Sequence, residues 1–136
     1  MAGTFMLEIV SPEDRIFKDE VQFMVVPEVT GELGVLKNHA PMIAALKIGV
    51  MRYTDPDGAI KKMAVSGGFM EVMGNEARVL AETAEPGAQI DVLRAKAAKE
   101  RAEQRIAAKA EDTNMVRAQM ALQRAIARLK AAEPNI

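Results

Sequence analysis

Gly49-Val50-Met51-Arg52-Tyr53-Thr54-Asp55-Pro56-Asp57-Gly58-Ala59-Ile60-Lys61-Lys62-Met63-Ala64-Val65 places two β-rich runs around one turn. Pro56 presets φ for the second position of a type I turn, and Gly58 takes the fourth. The pattern recurs downstream, where Phe69 to Met73 and Ala77 to Thr83 flank Gly74-Asn75-Glu76. Upstream, Phe5, Leu7 and Ile9 alternate with Met6 and Glu8, and Val21-Gln22-Phe23-Met24-Val25-Val26 is a further run closed by Pro27. Short strands at regular turn signals predict a sandwich or a barrel.

Beyond Ala84-Glu85-Pro86-Gly87-Ala88 the character changes. All five aromatics precede this linker, and 14 of the 49 residues from position 88 onward are Ala, with no Gly. Charge divides as well: residues 1–88 carry 8 basic and 13 acidic side chains, for −5, and residues 89–136 carry 10 and 6, for +4. The second half predicts two helices. Asp91 to Ala110 holds no breaker, and Asp112 or Thr113 offers an N-cap for a helix ending near Ala131. Met115, Ala118, Leu122, Ala125 and Leu129 make one apolar seam, faced by Ala95, Ala98, Ala102 and Ile106. Small side chains bury little area, so such a hairpin is held weakly and is suited to rearranging or to taking a partner.

Composition narrows the chemistry. The chain has 136 residues, 49% hydrophobic and 27% charged, enough for a real core. No apolar run approaches the roughly 20 residues needed to span a bilayer, and the N-terminus does not read as a signal peptide. Without Cys and with His39 as the single His, thiolate and His-rich metal sites are excluded and acid–base catalysts are scarce. The expectation is a soluble intracellular protein with no catalytic residues and no metal site, not an enzyme by itself.

Arginine spacing supplies the sharpest signal. Arg94, Arg101 and Arg105 lie seven and four residues apart, and Arg117, Arg124 and Arg128 repeat that spacing on the second helix. Like charges at i,i+4 cost a few tenths of a kcal/mol each. Two readings stay open. One is a solvated helix face with Glu100, Glu103 and Glu111 as counter-charges. The other is an anion site for a nucleotide phosphate or an acidic protein segment, which guanidinium forks suit. Nucleic acid is disfavoured, because the basic half has no aromatic for stacking and the overall pI is 5.9. Ser66-Gly67-Gly68-Phe69 lacks the Lys and the spacing of a phosphate-binding loop. Gly67 and Gly68 read instead as sites of close backbone packing, and Gly31 and Gly34 as turn residues.

Four segments together resemble the epsilon-subunit family of bacterial F-type ATP synthases: Gly31-Glu32-Leu33-Gly34-Val35-Leu36 running to His39-Ala40-Pro41, Ala45-Leu46-Lys47-Ile48-Gly49, Ser66-Gly67-Gly68-Phe69-Met70-Glu71-Val72, and Ile90-Asp91-Val92-Leu93-Arg94-Ala95. The last is similar to the ATP-binding motif of Bacillus-like members. Lys37-Asn38 departs from the Pro-Gly that many members carry before the His. The resemblance implies an α+β fold in two parts: a β-sandwich of about ten strands over residues 1–85, and an antiparallel two-helix hairpin over residues 86–136. It implies a central-stalk subunit that couples the gamma subunit to the c-ring, with Glu32 and His39 facing the c-ring. Its basic helices would engage an acidic segment of the beta subunit and oppose ATP hydrolysis. It further implies ATP as a regulatory ligand of the folded hairpin, held by Glu85, Ile90, Asp91, Arg94, Ala95, Arg101, Arg124 and Arg128, with magnesium left open. Attachment to the cytoplasmic face of the cell membrane would be peripheral and through the complex. The alternatives are the same inhibitory subunit without meaningful ATP binding, and a free-standing sandwich adaptor whose basic hairpin takes an acidic partner.

Overall fold

The computed structural model describes residues 3–134. Strands β1 (Phe5–Val10), β2 (Arg15–Val21), β3 (Phe23–Glu28), β4 (Gly31–Leu36), β5 (Met42–Thr54), β6 (Ile60–Met73), β7 (Glu76–Ala81) and β8 (Ala84–Pro86) come first. A 3₁₀ turn (Gly87–Gln89) leads into helices α1 (Val92–Ala108) and α2 (Met115–Ala132). The sheet runs β2-β1-β7-β6-β5-β3-β4, with β8 added to β6. All neighbours are antiparallel except β1 and β7, which are parallel.

The sheet folds over itself into a sandwich at one place in its longest ribbon. Along β5 the positions in the sandwich core are Ala44 and Leu46, then Met51; along β6 they are Met63 and Val65, then Met70 and Val72. The inward parity therefore reverses in both strands at the same level, where Leu46 pairs with Gly68 and Ile48 with Ser66. Gly67 and Gly68 have φ of +81° and +121°, and a Cβ at Gly68 would overlap the carbonyl of Leu80. The expected close backbone approach is thus found at Gly68. Because β5 and β6 each pass through both layers, the described sandwich has eight strands where about ten were expected.

Two turns follow their sequence. Asp55 Oδ1 accepts from the amides of Asp57 and Ala59 at 3.0 and 2.9 Å, and Gly58 N–H donates to Asp55 O, closing the β5–β6 turn. Gly74 and Asn75 both have φ of 59°, the two-residue turn that suits right-twisted strands. Asn38, in the segment that departs from Pro-Gly, takes φ 58°, so it holds the left-handed backbone that a glycine would hold. Gly34 differs from expectation: it lies inside β4 against the ring of Phe23, not in a turn.

Asp91 caps α1, its side chain accepting from Arg94 N–H at 3.0 Å, and Asn114 caps α2 through Arg117 N–H at 3.1 Å. The second cap was expected at Asp112 or Thr113. Those residues belong instead to the turn, where Thr113 N–H donates to Ala110 O. The facing seam is as read: Ala95 and Ala102 of α1 and Ala118 and Ala125 of α2 are buried.

Helix α2 carries the docking onto the sandwich. Ala127 and Ala131 pack on Ala64 of β6, with Ile48, Val50 and Ile90 beside them. Lys62 Nζ donates to Lys130 O at 3.2 Å, placing a cation at the helix C-terminus. Gly87 approaches so closely that any Cβ there would overlap the carbonyl oxygen of Ala131. On the outer face of the sheet Glu8 is buried between Arg15 (3.0 Å) and Arg78 (2.8 Å).

Two predictions follow from this packing. Gly87→Ala should strain the docking by about 1–3 kcal/mol as an overpacked contact. Amide exchange in residues 62–65 and 127–132 should then quicken about tenfold or more, with exchange in β1 and β7 unchanged. Exchange equal to the parent in all four segments contradicts it. For Glu8, burial pushes the carboxyl up, but its bond to Arg78 and the charges of Arg15, Arg78 and Lys18 outweigh this and hold it below the ordinary 4.5. A lowered folded-state value means stabilisation that is complete above the ordinary glutamate range and is lost as pH falls through the folded value. Glu8→Gln should therefore flatten the acid limb of a stability–pH curve below about pH 4.5, as followed by urea denaturation.

Candidate functional site

The linker, α1 and α2 enclose a cleft of about 380 Å³, lined by Glu85, Gln89, Ile90, Asp91, Arg94, Ala95, Ala98, Arg101 and Arg128. Seven of the eight residues expected for the nucleotide thus meet in one place. Arg124 does not join them. It lines the neighbouring cleft, about 520 Å³, with Arg105, Arg117 and the α2 N-terminus. The two arginine stripes therefore form opposite banks of the hairpin groove, and Arg124 falls on the side nearer the interhelical turn.

Local structure explains each position. Arg94 and Arg101 are two helical turns apart, roughly 10 Å along the axis, and Ala95 and Ala98 leave the wall between the helices low. Neither Arg94 nor Arg101 takes part in an ion pair among the described residues. Arg128 does: its Nε donates to Glu85 Oε1 at 2.7 Å, tying α2 to β8 across the cleft. Asp91 is committed to capping α1, and Ile90 is half-buried against the alanines that dock α2. So the cleft has acceptors and an amide at its linker end, and along α1 two guanidiniums outside any ion pair among the described residues. A ligand with polar ring edges at one end and anionic charge at the other fits that division. Gln89 and Ala98 were missed by sequence reading. Ala98 was legible as a seam residue, whereas Gln89 carries no motif and is placed only by the 3₁₀ turn.

Glu32 and His39 do not form one patch. Glu32, second in β4, is exposed and pairs with Arg52 at 2.8 Å, beside a cleft of about 640 Å³ shared with α2. His39 lies beyond the other end of β4, past the turn at Lys37 and Asn38. Its ring Nδ1 is 2.7 Å from Ala40 O. The preceding residue donates its amide to Asn75 Oδ1 at 2.7 Å, which ties this loop to the β6–β7 turn.

That end of the sandwich adjoins a second surface. Across the outer face of the sheet, Lys18, Glu8, Arg78 and Glu71 make a charged row of paired positions. Alongside runs the apolar row Val10, Leu80 and Phe69. Phe69 is 56% exposed, and Ile43 and Met73 nearby are 73% and 71% exposed. Large apolar groups collected on one sheet face mark a surface for a protein partner.

Comparison with known proteins agrees with this architecture. The model for the ATP synthase delta/epsilon chain β-sandwich domain matches residues 4–87, and that for its long α-helix domain matches residues 89–133. The ATP synthase epsilon chain of Syntrophomonas wolfei is 64% identical over 131 residues, covering 96% of each chain. That of Desulforamulus reducens is 53% identical over 133 residues, covering 98% of this chain and all of its own. Among solved structures, a chain of the Euglena gracilis mitochondrial ATP synthase superposes with a TM-score of 0.82 at 23% identity, covering 95% of this chain and 81% of its own. The chain belongs to the ATP synthase delta/epsilon family, and its bacterial relatives are epsilon chains. No helix among the described residues is long and apolar enough to cross a membrane.

Capping and ligand binding can be separated at Asp91. Asp91→Ala should lower helix stability by about 1 kcal/mol, read from the thermal melt of the helical signal. Asp91→Asn keeps a capping oxygen and should restore that melt. A melt of Asp91→Ala equal to the parent would show that the cap contributes nothing.

Proposed function

We propose that this chain couples the gamma subunit to the c-ring in a proton-translocating ATP synthase, and that its helical hairpin regulates ATP hydrolysis. The complex would hold it peripherally at the cytoplasmic face of the cell membrane. The apolar row at Phe69 and Leu80, flanked by charge, suits a permanent contact with gamma, and Glu32 at the far end of β4 suits the c-ring side. His39, beside the apolar face, suits the gamma side better than the c-ring side.

In this reading the docked hairpin binds ATP without hydrolysing it. One observation carries it: the cleft gathers Glu85, Ile90, Asp91, Arg94 and Arg101 from two segments and closes on Arg128 from a third. Arg94 and Arg101 hold phosphates, while Arg124 lines the neighbouring cleft. Because the walls belong to the linker, α1 and α2, a bound nucleotide favours the docked arrangement by mass action. Undocked, the same arginines are available to an acidic segment of the beta subunit, which opposes hydrolysis. A second reading, inhibition without ATP binding, is favoured by the Glu85–Arg128 pair, which already fills part of the cleft's hydrogen-bonding capacity.

Calorimetric titration of ATP into the isolated chain, with and without magnesium, separates the two. Saturable one-to-one binding is expected, accompanied by a higher melting temperature and lost in Arg94→Ala. Flat heats at millimolar ATP would leave the inhibitory reading alone.

A further inference from the structure

We infer that the trough between β5 and α2 is a site for the monomeric anion of a long-chain carboxylic acid, and that this occupant holds the hairpin docked on the sandwich. The trough measures about 640 Å³, within the range of about 300–1,000 Å³ usual for small-molecule sites. It shares no lining residue with the two arginine clefts of the hairpin groove, so it does not depend on nucleotide binding there.

Two walls of different origin meet in it. Ile48 and Val50 of β5 and Ile126 and Ala127 of α2 line an aliphatic floor. Ile48, Val50 and Ala127 also belong to the cluster that docks the helix. The floor is therefore the open margin of the docking contact. Above it each wall carries one ammonium. Lys47 from β5 and Lys130 from α2 are exposed and take part in no ion pair among the described residues. The carboxylates nearby are engaged: Glu32 pairs with Arg52 at 2.8 Å, and Glu28, which Lys47 influences through its field, accepts from the amide of Thr30. Lys47, Arg52 and Lys130 against Glu32 leave the lining at +2.

This chemistry narrows the occupant. The lining holds no aromatic ring on which a base would stack. Lysine ammoniums are point charges that meet a single anionic head without the paired geometry of a guanidinium. An exposed contact of that kind contributes up to about fivefold in affinity, whereas each methylene withdrawn from water contributes roughly fourfold. Affinity therefore comes from an apolar body on the floor, and orientation from the lysines. A long aliphatic chain with one carboxylate fits both. Because it lies on both walls, it binds only the docked arrangement and favours it by mass action.

The test is calorimetric titration of the full chain with laurate below its micelle concentration, for the parent, Lys47→Gln, Lys130→Gln and the double variant. Acetate supplies the head without the tail, dodecyltrimethylammonium the tail with the opposite head, and phosphatidylglycerol vesicles an anionic membrane surface. The parent should bind laurate one-to-one, and neither acetate nor the cationic amphiphile saturably. Each single variant should weaken laurate by about two- to fivefold and the double variant by about tenfold. Lys130→Gln leaves the Lys62 bond to the Lys130 carbonyl in place. With free laurate at about ten times its Kd, amide exchange in residues 62–65 and 127–132 should slow about tenfold, with β1 and β7 unchanged. Laurate affinity unaltered in the double variant overturns the site, as do absent saturable binding and equal binding of the cationic amphiphile. Protection centred on Phe69, Met73 and Leu80 instead of α2 assigns the uptake to the outer apolar row and also overturns it. Capture by vesicles without binding of monomeric laurate makes this face a membrane contact and rejects the free carboxylate.

Discussion

The contact between Gly87 and the last turn of α2 decides whether the cleft exists. Glu85, Gln89 and Ile90 come from the linker, Asp91 to Arg101 from α1, and Arg128 from α2, so no single element owns the site. What joins them is the packing of Ala127 and Ala131 on Ala64, a backbone approach at Gly87, and two polar ties from Lys62 and Glu85. Alanine methyls bury little apolar area, so the docking is worth far less per residue than the Leu, Ile, Val and Met packing of the sandwich. A ligand that bridges the walls acts on a small free-energy difference, which makes its influence large.

The sandwich is built on the opposite principle. Its core is continuous through both layers, with Leu7, Ile9, Met24, Met51 and Met70 fully enclosed. Methionine serves well where β5 and β6 turn over, since an unbranched thioether fills the irregular space left by the change in parity. On the outer face the charged and apolar rows follow from the alternation of β7 and of the second half of β6, with β1 paired alongside. Dense packing of large apolar side chains is thus concentrated in the sandwich, and sparse packing of alanines in the contact that docks the hairpin.

Much of this was legible from residues alone. The two halves, the Asp55–Gly58 and Gly74–Asn75 turns, the alanine seam and the convergence of the arginine stripes all follow from local chemistry and period. The strand count did not, because nothing in Leu46 to Gly49 signals that one strand continues through a reversal of its faces. The α2 cap went to Asn114 over Asp112 and Thr113, three competent residues within a few positions, and only tertiary packing chooses among them. Arg124 shares a helix face with Arg128, yet one helical turn moves it into the next cleft. Gln89 was invisible because its placement depends on a 3₁₀ turn whose geometry is set by contact with a helix forty residues later.

The parallel pairing of β1 with β7 has a kinetic meaning. Hairpins β3–β4, β5–β6 and β6–β7, and the α1–α2 pair, join neighbours in sequence and form without waiting for distant chain. By contrast, Met6 to Val10 find their second partners only at Glu76 to Leu80, seventy residues on. During synthesis the first strand therefore emerges long before the slot it occupies, with Leu7 and Ile9 unburied until β7 arrives. Closing that long loop is the slow, non-local step of folding. Until then β1, paired only with β2, is the segment most exposed to capture by chaperones or by a second nascent chain.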